Sequence, residues 1–362
     1  MLLPVNVESG RGSRPPRATL LLIIVNAGVY LICAVESVLI GGWSWSRLVV
    51  IPAPVTMSWS LVPDHASAYS FFTAPWIHFS SIHLAGNLLF LWVFGPAAEE
   101  ALGSLGVIGI YLAGGIASTF GQYVAAQHGL APVDIQYAGS SGSVIAMIVV
   151  FAIRRYRARV RLWLVVGDLS IPAWGALVAF GCWYGLIPVL TQTVTGPSGY
   201  WGHLAGAVSG LILALVIGAA PQGAVDYSLD DALAQIEAGH LREGLAELHA
   251  LQRLTPDDSR APRALARSLV RVWDLPAASR HYAEAVRMEI AANRTTRAIE
   301  IWSEGLQAGA SMSPQLALSL ANAAAGSGAF IDAGKLYEWV LSQPDSVSAE
   351  VARRKLAAMR GG

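Results

Sequence analysis

The sequence predicts an all-α protein: a six-transmembrane-helix bundle followed by a soluble domain of stacked helix pairs. Three observations predict it. The 362-residue chain is 54% hydrophobic and only 13% charged, about half the charge of an ordinary soluble domain. The charge is unevenly placed: residues 1–222 hold nine Arg and seven Asp or Glu, and the shorter remainder holds fifteen basic and seventeen acidic residues. Apolar runs of bilayer-crossing length, about 20 residues each, recur at 18–40, 80–98, 105–126, 137–153, 171–192 and 200–220. The composition break near Pro221 sets the expected domains. Residues 1–17 form a cytoplasmic N-terminal segment, 18–220 a membrane domain and 221–362 a cytoplasmic helical domain.

The first span follows Arg11, Arg14 and Arg17 and is longer than a signal-peptide core of about 7–15 residues. With five more spans after it, it reads as a retained helix. The loop at 41–78 carries Trp43, Trp45, Pro52, Pro54 and Trp59. Tryptophan favours the membrane interface, so this loop is expected in or on the outer leaflet. Spans two and four are slightly short, which suits helices inside a bundle. The Arg-rich stretch Arg154-Arg155-Tyr156-Arg157-Ala158-Arg159-Val160-Arg161 separates spans four and five, whereas loops on the other side hold one Arg, Arg47. Arg-rich loops stay inside, so both termini are expected in the cytoplasm. The Arg-rich, Lys-poor composition points to a prokaryotic plasma membrane.

Cys33 and Cys182 both lie in apolar runs and read as packing residues rather than a disulfide or metal pair. No metal and no cofactor is expected. Zero net charge and the absence of a basic stripe interleaved with aromatics argue against a nucleic-acid partner; membrane lipid surrounds the apolar half.

Beyond residue 222, Leu241, Gly244, Leu248 and Leu251 recur 34 residues later as Leu275, Ala278, Tyr282 and Ala285. Ala298, Trp302 and Gly305 recur 35 residues later as Ala333, Tyr337 and Val340. This period of small and aromatic residues resembles tetratricopeptide repeats, with an irregular step between the two sets. Stacked helix pairs form grooves, so a cytoplasmic protein or peptide partner is expected there. Asn293-Arg294-Thr295 has the form of a glycosylation acceptor, which an inward-facing tail makes irrelevant.

Polar residues inside membrane spans are costly and therefore informative. Span two opens with His78, His83 and Asn87; span four with Gly139-Ser140-Ser141-Gly142; span six with His203, Gly206 and Gly210. Even-numbered spans run from outside to inside, which places all three groups near the outer ends of their helices. A serine hydroxyl needs an adjacent base, and histidine has the matching pKa range. Ser141 opens a helix, where free backbone N–H groups can face a developing oxyanion. Gly139 and Gly142 permit a tight turn and close helix contact. Gly206 and Gly210 form a small-xxx-small face that brings span six within reach of Ser141. His83 and Asn87, four residues apart, share one helix face.

The arrangement resembles the rhomboid family of intramembrane serine proteases. Its pattern is His-x4-His-x3-Asn in helix two, Gly-x-Ser-Gly opening helix four and His-x2-Gly-x3-Gly in helix six. All three match, over about residues 18–220, and the Gly95…Glu99…Gly103 stretch resembles the family's turn into helix three. The resemblance implies Ser141 as nucleophile and His203 as general base, acting as a dyad. It implies His83, Asn87 and the Ser141 N–H as oxyanion hole, with His78 in a supporting position and transmembrane segments of other proteins as substrates. Two departures stand out. Tyr69-Ser70 occupies a loop position where many relatives have Trp-Arg, and Ile145 stands where many have an aromatic four residues after the serine. Two rival readings remain: a proteolytically inactive relative that binds transmembrane clients, and a transporter using the membrane histidines as a proton path. The second leaves the Gly-Ser-Ser-Gly turn unexplained.

Overall fold

The computed structural model describes residues 3–7, 15–164, 167–181, 199–344 and 346–360. Arg11, Arg14, Cys182 and the second half of the fifth expected span lie outside them. The chain forms two compact units, Met1–Gly223 and Ala224–Gly362, with the division inside the helix Ala219–Glu237.

In the first unit, Arg17–Gly41 is an apolar helix of 25 residues. The next assigned helix, Ser81–Gln127, is really two, because Gly103 in its middle has φ 75° and ψ 161°. Only a residue without a Cβ adopts that conformation readily, so the chain turns there between residues 81–102 and 104–127. Ser141–Arg154, Ala173–Gly181 and Tyr200–Val216 follow. Among the described residues, Arg17–Gly41 and Ser81–Gln127 are long and apolar enough to cross a membrane. Tyr200–Val216 and Ala219–Glu237, bent by 64°, pass the same test as a pair. Ser141–Arg154 is shorter, with 14 residues, and nearly all of it is buried against its neighbours.

Glu99 ties the first helix to this turn. Its carboxylate accepts hydrogen bonds from the backbone N–H groups of Ala18 (2.9 Å) and Thr19 (2.8 Å), the Thr19 hydroxyl (2.9 Å) and the Ser104 hydroxyl (2.6 Å). Pro16, which precedes the helix, offers no capping side chain, so a distant carboxylate supplies the acceptors that the first turn lacks. Glu99→Gln should lower the melting temperature in detergent, at a cost of about 1–3 kcal/mol, because an amide turns N–H groups toward donors. An unchanged melting temperature would show that this cap is dispensable.

The first unit also holds a three-stranded antiparallel sheet, in the order Leu3–Val7, Arg159–Leu164, Gly167–Pro172. This corrects the all-α expectation: the chain is mostly helical, and the Arg-rich connector is in part a strand. The cause is the two-residue alternation Arg159-Val160-Arg161. Val160 is fully buried in the core while Arg159 and Arg161 face outward. Ala173 N–H donates to Ala158 O at 2.7 Å and closes the hairpin, so the next helix begins at Ala173.

The 41–78 loop is a chain of short turns, with Trp43, Trp45 and Trp59 exposed. It is pinned to the segment before Ser141 by paired backbone bonds between Leu61 and Tyr137 (3.0 and 2.8 Å). The Thr56 hydroxyl adds a bond to the Gln136 side chain at 2.8 Å. Where the Trp-Arg pair is replaced, the Ser70 hydroxyl donates to Ser67 O at 2.7 Å and Tyr69 packs edge-on against Trp59.

In the second unit the helices Leu241–Leu254, Arg260–Arg271, Leu275–Ala291, Thr295–Gln307, Pro314–Gly326, Phe330–Leu341 and Ser346–Arg360 follow one another through short turns. The recurring small and aromatic residues are its core: Leu248, Ala278, Tyr282, Ala298, Trp302, Ala333 and Tyr337 are each at most 2% exposed. Glu304 joins three of these helices, accepting from Arg263, Arg267 and the Tyr282 hydroxyl. Burial pushes its pKa up, but the hydrogen bonds from Arg267 and Arg263 outweigh this and hold the carboxyl at about 2.

Candidate active site

Ser141 is the first residue of its helix. The first i-to-i−4 bond, from Val144 N–H to Ser140 O at 3.0 Å, leaves the Ser141, Gly142 and Ser143 N–H groups without an acceptor inside the helix. His203 lies one turn into Tyr200–Val216, whose N-cap is Gly199 in the left-handed conformation (φ 61°). Ser141 Oγ and His203 Nε2 are 2.8 Å apart, although 62 residues separate them in the chain.

Glycines set that distance. A Cβ on Gly206 would stand 2.7 Å from Gly142 O and 2.9 Å from Gly142 Cα; one on Gly210 would meet Ala146 O and Cα at 2.7 and 2.9 Å. The two helices therefore touch backbone to backbone, a spacing open only to small residues. Gly142 is also closed off by Ser118 from the third helix segment. Gln122 of that segment accepts from Gly202 N–H at 2.9 Å and fixes the start of the helix carrying His203.

His83 and Asn87 sit one turn apart, and both line a cavity of about 360 Å³ shared with Ser141 and His203. The rest of the wall is largely apolar and includes Ile145. His83 packs against Gly139, where a Cβ would lie 2.6 Å from its Cε1; Gly139 has φ 123° and donates its N–H to Ala74 O at 3.0 Å. His78 is 1% exposed and stands behind this wall, bonded to Asn87 and Ser140. Every site residue singled out from the sequence thus falls in one neighbourhood. The sequence alone assigns no role to Ser140, Ser118 or Gln122, which the structure places against these residues. Serine and glutamine in the third span were legible as costly membrane polar groups, but their partners were not.

Among the described residues no cluster of His, Cys, Asp or Glu could hold a metal ion. The arrangement brings the Ser141 hydroxyl, the His203 imidazole and the start of the Ser141 helix to one largely apolar cavity. That set suits attack on a carbonyl carbon.

Residues 65–220 match the family model described as Rhomboid domain. Together with its apolar helices this makes it an integral membrane protein. Over 169 residues it is 26% identical to the Rhomboid-like protein 11, chloroplastic, of Arabidopsis thaliana. The match covers 44% of this chain and 56% of that protein, so the chain spans little more than half of its length.

Proposed function

We propose that the protein is an intramembrane serine endopeptidase that cleaves transmembrane segments of other membrane proteins near their extracytoplasmic ends. The observation that carries this is the 2.8 Å contact between Ser141 Oγ and His203 Nε2 at the cavity. In this mechanism Ser141 Oγ attacks the scissile carbonyl carbon while His203 Nε2 takes the hydroxyl proton. The Ser141 N–H, Asn87 and His83 donate to the oxyanion. The imidazolium gives its proton to the departing amine as the C–N bond breaks, leaving an acyl-enzyme. Water, deprotonated by His203, then attacks the ester; the product acid leaves and the Ser141 hydroxyl is restored. A substrate helix must unwind locally to expose its peptide bond, because helical carbonyls are already bonded.

The reading includes six spans, cytoplasmic termini and a prokaryotic plasma membrane, supported by the Arg placement and the order of apolar runs. The second unit, read as tetratricopeptide-like, binds a cytoplasmic protein or peptide; its support is the buried 34-residue period. A fluorophosphonate probe tests the nucleophile. Labelling of the wild type and not of Ser141→Ala is expected. Equal labelling of both would remove Ser141 from the role, and no labelling of either would favour an inactive client-binding protein.

A further inference from the structure

Behind the proposed oxyanion site lies a chain of buried polar groups centred on His78. His78 Nδ1 is 3.2 Å from the carbonyl oxygen of Trp76, and its Nε2 is 3.0 Å from Asn87 Nδ2 and 3.2 Å from Ser140 Oγ. A carbonyl only accepts, so the ring proton sits on Nδ1 and Nε2 is an acceptor. The Asn87 group that meets Nε2 must therefore be its NH2 and not its carbonyl, whichever way the amide would otherwise turn. That nitrogen lies beside Gly139, two residues before the nucleophile and against the His83 ring. One amide hydrogen is taken by His78, and the other remains for the cavity that Asn87 lines.

Ser140 makes the arrangement rigid. It is 1% exposed and is the N-cap of the helix that Ser141 begins. Its hydroxyl ties His78 directly to that helix, so the imidazole, the amide and the nucleophile's backbone share one frame. It is absent from the cavity wall, where Ser141 stands.

We infer that His78 is a positioning residue: locked in its Nδ1–H form by the Trp76 carbonyl and braced by Ser140, it presents the Asn87 NH2 to the oxyanion. His78 itself never touches substrate. The inference rests on the endopeptidase reading, since it concerns the same oxyanion.

The test uses the full chain in proteoliposomes with a model single-span substrate. Wild type and Ser141→Ala are measured first; if wild type does not cleave, the endopeptidase reading fails and this inference falls with it. His78→Leu removes the acceptor, whereas His78→Gln places an amide oxygen near the position of Nε2. His78→Leu should lower kcat about 10–100-fold, part of what a lost oxyanion donor costs, with KM little changed. His78→Gln should recover most of that loss. In an Asn87→Ala background, His78→Leu should cost little more. Equal losses for the Gln and Leu variants, or the same fold-loss with and without Asn87, would overturn the inference and leave His78 as packing alone. Should His78→Leu fail to fold, Ser140→Ala provides the milder probe. A few-fold fall in kcat that disappears in the Asn87→Ala background supports the inference; no fall, or an equal fall in both, overturns it.

Discussion

Cleavage of a model single-span substrate by Ser141→Ala or His203→Ala is expected to fall by about 10⁴–10⁶-fold, to background. In the proposed mechanism the two residues act as one unit, since a serine hydroxyl without its acceptor is a poor nucleophile and an imidazole without its serine has nothing to activate. Their contact at 2.8 Å lies in a cavity whose other walls are mostly apolar. There a hydroxyl–imidazole bond meets little competition from water. The double variant should therefore be no worse than either single one. Both purified variants should retain the wild-type melting temperature, which separates lost chemistry from lost fold. Undiminished cleavage by both would end the dyad assignment.

Gly206→Ala is expected to reduce the cleavage rate about 100-fold, the usual cost of misplacing reacting groups by about 1 Å, and to lower the melting temperature as well. The added Cβ would stand 2.7 Å from Gly142 O and 2.9 Å from Gly142 Cα. These are backbone atoms, which cannot rotate aside as a side-chain tip can. The helices must separate, and they carry Ser141 and His203. Gly206→Val, with two more carbons at the same crossing, should prevent stable folding. Gly109→Ala is the control, because a Cβ there has open space within 4 Å. Loss of activity in the control comparable to that of Gly206→Ala would show that the crossing is not what fixes the dyad.

The candidate site was unusually legible. Each of its groups marks a costly membrane polar residue by its neighbours: Ser141 is flanked by Gly139 and Gly142, His203 has Gly206 and Gly210 at helical spacing, and His83 stands one turn before Asn87. Burial of a polar side chain in an apolar run demands a reason, and three such demands at matching positions narrow the answer. The sheet was less legible. Its alternation at Arg159-Val160-Arg161 occupies a short stretch, and its partner strand Leu3–Val7 lies more than 150 residues away. Arginines at every second position read as a charge run until something buries the Val160 between them. Glu99 stands in a legible Gly95…Glu99…Gly103 turn, but its capping of the helix starting at Arg17 depends on where that helix end lies.

By itself the sequence determined the apolar half, the break near Pro221, the residue types of the site and their spacing along each helix. These follow from local physics: bilayer-length runs, helical periodicity and the cost of polar groups in hydrocarbon. Only the tertiary structure decided which atoms meet. The approach of Ser141 to His203, and of Ser140 to His78, depends on contacts between segments far apart in the chain. Hydrogen bonds act over about 3 Å and are directional, so a pattern of residues can nominate such partners, but only packing brings them together.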